Sequence, residues 1–161
     1  MYQIDFHNPI QIYFIGIGGI SMSGLAEILL SEGFKVSGSD RTPSDLTRML
    51  EERGVRVFYG QREENLTAAI DLVVYTAAIK GDNPELLAAK KLGIPTLTRA
   101  ELLGQMMKNY KMPIAISGTH GKTTTTSMLS TILLSADTDP TLSIGGIYKP
   151  IGGNIRVGAS D

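Results

Sequence analysis

The 161-residue sequence contains no cysteine, shows no excess of charge of either sign and has no long apolar run. Without cysteine, disulfide frameworks, Cys-ligated zinc, iron–sulfur clusters and thiol catalysis are excluded, and a reducing, cytoplasmic setting is expected. No apolar stretch approaches the roughly 18 to 20 residues that cross a bilayer, and the start MYQIDFHNPIQ lacks a basic flank followed by an apolar h-region. Membrane insertion is therefore not expected. Fifteen basic against sixteen acidic residues give a net charge of -1, which supplies no broad positive field for nucleic acid. The mildly basic stretch 90–111 reads as a solvated helix face.

Apolar residues make up 42% and charged residues 19%, a balance that supports a buried core. Glycine is in excess, at 18 residues or about 11% against a usual 7% or so, and its placement carries the information. Strand and helix patterns alternate along the first two thirds: strands at 12–15, 34–37, 55–58, 72–75 and 95–97, and helices at 22–30, 44–53, 84–92 and 100–108. Such alternation predicts an α/β fold, a Rossmann-like parallel sheet with helices on both faces. The expected organisation is a first domain over 1–108, a linker over 109–113 and an incomplete second α/β domain over 114–161. The second would open with a strand at 114–117, a phosphate-binding loop and a helix to about 134, with short strands at 141–144 and 155–157. Helical spacing assigns Met22, Met49, Met106, Met107 and Met128 to core packing.

Two turns carry the chemistry. The first, Gly16-Ile17-Gly18-Gly19-Ile20-Ser21-Met22-Ser23-Gly24, joins a strand to a helix. There glycines allow a tight turn and the close approach of a diphosphate to the N–H groups at the positive helix end. The usual G-x-G-x-x-G/A spacing places Gly or Ala where Ser21 stands. Asp40 ends the second strand 22 positions after Gly18, where an acidic side chain commonly accepts from a ribose hydroxyl. The second turn, Ser117-Gly118-Thr119-His120-Gly121-Lys122-Thr123-Thr124, again precedes a helix. Its N–H groups suit phosphate oxygens, Lys122 suits the β- and γ-phosphates, and the Thr123 hydroxyl suits magnesium. It is a variant loop, since G-x-x-x-x-G-K-[ST] would place glycine at position 116, which is Ile116. His120 is a candidate for a phosphate or its magnesium shell, or simply a loop residue. Thr76 and Asn83 follow a buried strand, at the end where ligands of parallel sheets sit. Arg99 opens a helix, as an anion contact or as half of a surface pair with Glu101, and His7 reads as a surface residue.

The segments FIGIGGISMSGLAEIL, VSGSD, VVYTAAIKGDNPE, TRAELL, ISGTHGKTTTTSML, DPTLSIGG and GGNIRVG resemble the Mur ligase family, from about residue 12 to the end. The match is to the branch that joins L-alanine to UDP-N-acetylmuramate in peptidoglycan synthesis. The branch that attaches a tripeptide shares the His-containing loop but usually has another first glycine turn. The resemblance implies that Gly16, Gly18, Gly19 and Ser21 face the diphosphate of a UDP-sugar, with Asp40 near the uridine and Thr76 and Asn83 along the cleft. It implies further that Gly118, Thr119, His120, Gly121, Lys122, Thr123 and Thr124 hold ATP, Lys122 stabilising charge on the transferred phosphoryl group and Thr123 on Mg2+. The resemblance implies a reaction in which the lactyl carboxylate becomes an acyl phosphate, which the amine of L-alanine attacks. Family members often have glycine at the position of Ser21. The remaining magnesium ligand and the amino-acid contacts are expected beyond residue 161, so this piece is expected to bind nucleotide without completing ligation. The alternatives are a nucleotide-binding module without a reaction and an NAD(P)-dependent oxidoreductase.

Overall fold

The structure, a computed structural model, describes residues 3–159. It divides into two compact units, one through Asn109 and one from Tyr110.

The first unit is a five-stranded sheet. Its elements in chain order are β1 (Gln11–Ile15), α1 (Ile20–Ser31), β2 (Lys35–Asp40), α2 (Asp45–Glu52), β3 (Arg56–Tyr59), β4 (Leu72–Tyr75), α3 (Pro84–Lys91), β5 (Thr96–Thr98) and α4 (Arg99–Met107). The strands run parallel in the order β3-β2-β1-β4-β5. The chain builds outward from β1 to β3, then returns to the other side of β1 for β4 and β5. The order therefore reverses between β1 and β4, the place where open α/β sheets hold ligands beyond their strand ends.

β1 reads QIYFI and sits at the centre, so both of its faces are buried; Ile12, Tyr13, Phe14 and Ile15 are each fully enclosed. On one face Tyr13, Ile15 and Val73 pack with Leu86, Ala88 and Ala89 of α3 and with Leu66, Ile70 and Ile94. The opposite face presents the equally buried Ile12, Phe14, Leu72 and Val74, on the side to which right-handed crossovers bring α1 and α2. Each such enclosed side chain contributes about 1.5–3 kcal/mol. β2 runs past residue 37 to Asp40, because its pairing continues through Ile15 with Ser39 on one side and Asp40 with Tyr59 on the other. Within it Gly38 is required by close approach: a Cβ there would stand 2.5 Å from the Phe14 carbonyl oxygen.

The second unit holds α5 (Lys122–Ser135) and the antiparallel pair β6 (Leu142–Tyr148) and β7 (Gly153–Arg156). Leu142 and Ile144 are its buried apolar residues. The strand expected at 114–117 does not form. A strand needs a neighbour for its N–H and C=O groups, and the sheet described in this unit contains only β6 and β7. Met128, expected in a core, is 63% exposed, because α5 encloses only Ser130. Met22 and Met106 are buried as expected.

Candidate functional site

Helix starts separate the scaffold from the candidate sites. α2 and α4 open with reciprocal capping boxes, Ser44 with Thr47 and Thr98 with Glu101, and α3 opens with Asn83 accepting from Glu85 and Leu86 N–H ahead of Pro84. α1 and α5 begin instead at Gly19 and Gly121, with no side-chain cap. An α-helix leaves its first N–H groups without intrahelical acceptors, and their partial positive charge suits an anion. Both helices that lack side-chain caps follow the two glycine turns.

In the first turn, Gly16 adopts φ +84°. The N–H groups of Gly16 and Ile17 both donate to the Ser39 carbonyl at 2.8 and 2.9 Å, and Gly19 N–H donates to the Gly16 carbonyl. Gly18 N–H donates to Asp40 Oδ2 at 2.8 Å. The three glycines thus shape the turn, while Ser21 and Met22, in the first turn of α1, are the residues whose N–H groups the helix leaves to an outside acceptor. Gly18 also provides clearance, since a Cβ would stand 2.8 Å from Asp40 Oδ2 and 2.9 Å from Thr47 Cγ2. Asp40 braces the turn directly, with Oδ1 accepting from Arg41 N–H.

Beside this turn, a pocket of about 350 Å3 opens beyond the carboxyl ends of β2, β3 and β4, lined by residues that include Arg41, Gln61, Lys80, Asp82 and Asn83. The lining is polar, with cations on two different loops. Asn83 is committed at both ends of its amide, Oδ1 to the α3 cap and Nδ2 to Gln61 Oε1 at 2.7 Å. Thr76, the first residue after β4, is half-buried, and its carbonyl accepts from Ile79 N–H; of the loop that it opens, Ala78, Ile79 and Lys80 face the pocket.

Behind the pocket lies a group that the sequence reading missed. Glu85, in the first turn of α3, is fully enclosed. Its Oε1 accepts from the Tyr13 hydroxyl and from Asn65 Nδ2, each at 2.7 Å, and its Oε2 accepts from the Ser39 hydroxyl at 2.5 Å. Burial, first, and then the bond and charge of Glu85 push the Tyr13 hydroxyl far above its ordinary range, so it remains a donor. A Glu after Asn-Pro reads as an exposed, dipole-favoured residue at a helix start; the usable signal was the hydroxyl of Tyr13 inside the apolar run of the central strand β1.

In the second turn Gly118 (φ +156°) and Gly121 (φ +77°) take backbone conformations that favour glycine. Lys122 Nζ donates to the carbonyls of Gly118 at 2.6 Å and Thr119 at 3.2 Å, folding its ammonium over the loop. Thr119, His120 and Thr124 are exposed. Thr123 stands against the glycine pair of β6: a Cβ at Gly145 would lie 3.4 Å from its Oγ1, and one at Gly146 3.6 Å from its Cγ2.

The profile of the Mur ligase family, catalytic domain, matches residues 11–111, more than half of the chain. The chain belongs to the Mur ligase family. It is 66% identical over its whole length to a UDP-N-acetylmuramate–L-alanine ligase of Agathobacter rectalis, covering 35% of that relative. A solved UDP-N-acetylmuramate-alanine ligase from Thermotoga maritima superposes with a TM-score of 0.86 at 35% identity, over 94% of this chain and 35% of that one. The UDP-N-acetylmuramate:L-alanyl-γ-D-glutamyl-meso-diaminopimelate ligase of Neisseria meningitides gives 0.83 at 31% identity, over 96% of this chain and 49% of that one. The chain thus spans about a third of the length of the curated ligases it matches.

As a Mur ligase chain it places its candidate residues in two groups. Gly16, Gly18, Gly19, Ser21 and Asp40 gather around the start of α1, with Asn83 in the neighbouring pocket. Gly118 to Thr124 gather at the start of α5. Among the described residues Arg99 forms no ion pair with Glu101, whose carboxylate instead accepts from the Thr98 N–H and hydroxyl and is thereby held below the usual carboxylate range. His7 is exposed.

Proposed function

We propose that this chain is the part of an ATP-dependent ligase that holds UDP-N-acetylmuramate at the first turn and ATP at the second, for joining L-alanine to the sugar's lactyl carboxylate in peptidoglycan synthesis. The observation that carries the reading is the pair of glycine-led helix starts without side-chain caps, one at the switch point of the sheet beside a polar pocket and one followed by Lys122-Thr123. One phosphate-binding turn serves many functions. Two in one chain suit a substrate that carries a diphosphate and a second that carries a triphosphate.

At the first turn, the Ser21 and Met22 N–H groups and the dipole of α1 favour the diphosphate, with Arg41 and Lys80 supplying positive charge in the pocket. Asp40 already accepts from Gly18 N–H at Oδ2 and from Arg41 N–H at Oδ1; the remaining lone pair of Oδ1 is the acceptor for a ribose hydroxyl. At the second turn, Lys122 would leave the Gly118 and Thr119 carbonyls for the γ-phosphate, placing its charge where charge develops in transfer. ATP is needed because a carboxylate is a poor acyl donor. Transfer of the γ-phosphoryl group to a carboxylate oxygen gives an acyl phosphate and ADP, and attack by the amine of L-alanine then forms the amide and expels phosphate. Among the described residues no group of three His, Cys, Asp or Glu side chains is arranged to hold a metal. The Thr123 hydroxyl, with room left by Gly145 and Gly146, fits as a single protein ligand in a shell of phosphate oxygens and water, which magnesium accepts. Magnesium bound there would neutralise phosphate charge.

The test is calorimetric titration with UDP-N-acetylmuramate, NAD and NADP. Saturable binding of the UDP-sugar with no binding of either dinucleotide is expected. NAD binding without UDP-sugar binding would refute the reading and favour an oxidoreductase.

A further inference from the structure

The Glu85 side chain bonds to no residue of the turn or of the pocket lining, yet Ser39, Gly60 and Gln61, which border them, are tied to Glu85 through short chains of hydrogen bonds. Its Oε2 holds the Ser39 hydroxyl. The carbonyl of the same Ser39 accepts the N–H groups of Gly16 and Ile17, and the next residue, Asp40, accepts Gly18 N–H. Its Oε1 holds Asn65 Nδ2, which also donates to the Gly60 carbonyl at 2.9 Å. Gly60 N–H in turn donates to the Asp40 carbonyl at 2.8 Å. Glu85 N–H donates to Asn83 Oδ1, and Asn83 holds Gln61 in the pocket wall.

We infer that Glu85 is a positioning residue for the anion-binding turn: through Ser39 and Asn65 it sets where the end of β2 lies, and so the conformation of the turn formed by Gly16, Ile17 and Gly18. The chemistry favours a carboxylate at this point. Three side-chain donors from three segments converge on two oxygens, and both Glu85 and Ser39 are fully enclosed, so water cannot replace a lost partner. Glutamine would keep one acceptor oxygen for Tyr13 and Asn65, remove the negative charge and require the Ser39 hydroxyl to reverse and accept from its N–H2 group. Apolar packing alone would not specify this geometry, because β2 here carries Gly38 and Ser39 rather than large side chains. The third donor, Tyr13, sits in the body of β1, so its bond ties Glu85 to the sheet without reaching the turn. Tyr13 shares Oε1 with Asn65, whereas Ser39 has Oε2 to itself, so Ser39→Ala removes the arm that reaches the turn directly and Tyr13→Phe leaves that arm's acceptor in place.

The ligand side of this inference rests on the reading that the turn holds a UDP-sugar. The experiment measures amide hydrogen exchange at Gly16, Ile17 and Gly18, with affinity for UDP-N-acetylmuramate, in Glu85→Gln, Ser39→Ala and Tyr13→Phe. In Glu85→Gln and Ser39→Ala, exchange at those three amides should rise roughly three- to tenfold relative to amides of β4, and UDP-sugar affinity should fall by a similar factor, as loss of one buried bond implies. Tyr13→Phe should lower overall stability and leave both turn readouts at the wild-type value. If Glu85→Gln does not fold, Ser39→Ala against Tyr13→Phe carries the comparison. Equal changes throughout the sheet in all variants, or no change at the turn in Ser39→Ala, overturn the inference. A wild-type chain that binds no UDP-sugar but shows the exchange contrast overturns the substrate reading and leaves the positioning role standing.

Discussion

At the scale of single residues, the glycines of the first turn act through space and shape rather than by presenting free N–H groups. Gly18 is the sharpest case, because a Cβ would meet both Asp40 Oδ2 and Thr47 Cγ2 inside 3.0 Å. Gly18→Ala is expected to destabilise the protein by about 1–3 kcal/mol, as overpacking does, measured by urea unfolding. Tyr13 gives a prediction in pH. Its folded-state pKa is raised above the ordinary 10.0, so its contribution to stability is complete below pH 10 and declines as pH rises beyond it, where the unfolded chain ionises and the folded chain does not. Tyr13→Phe should show a shallower alkaline loss of melting temperature than the wild type; parallel curves would count against the buried hydroxyl. Lys122 is exposed, and its ammonium donates to two loop carbonyls. Lys122→Ala should leave the melting temperature within about 1 °C, because such surface changes fall within ±0.5 kcal/mol, while abolishing ATP binding.

At the scale of elements, helix bounds were legible to within about two residues at either end. Asn83-Pro84 and Thr98 through Glu101 announce caps in their residue types, and both caps form. Asn83→Ala should cost about 1 kcal/mol through loss of the cap, and the pocket wall should loosen at Gln61; denaturant unfolding reads the first effect and exchange reads the second. β1 and β4 were legible because a centrally placed parallel strand must be apolar on both faces. The strand expected at 114–117 shows the converse limit. Its residues have strand-like composition, but strand formation depends on a neighbouring strand, which no local pattern encodes. Met128 misled for a similar reason: helical spacing marks a face, and burial depends on what covers it. Met106→Ala should therefore cost about 2–5 kcal/mol, against less than about 0.5 kcal/mol for Met128→Ala, a contrast that thermal unfolding would show directly.

At the scale of the whole molecule, the alternation of strand and helix conveyed the Rossmann-like unit, and the two glycine turns conveyed the two helix starts that lack side-chain caps. The reversal of strand order between β1 and β4 could not be read in the same way, since pairing order is a tertiary property. Nor could the buried Glu85, whose partners are 72, 46 and 20 positions away. The Mur ligase resemblance, carried by the two turns together, is matched by the family profile over residues 11–111 and by solved ligases with TM-scores of 0.86 and 0.83. The central claim is that the first turn serves a UDP-sugar and not a dinucleotide. Its most direct test is titration of the chain with UDP-N-acetylmuramate followed by competition with UDP and with NAD. The account predicts saturable binding that UDP displaces and NAD does not; saturable binding of NAD without any of the UDP-sugar would contradict it.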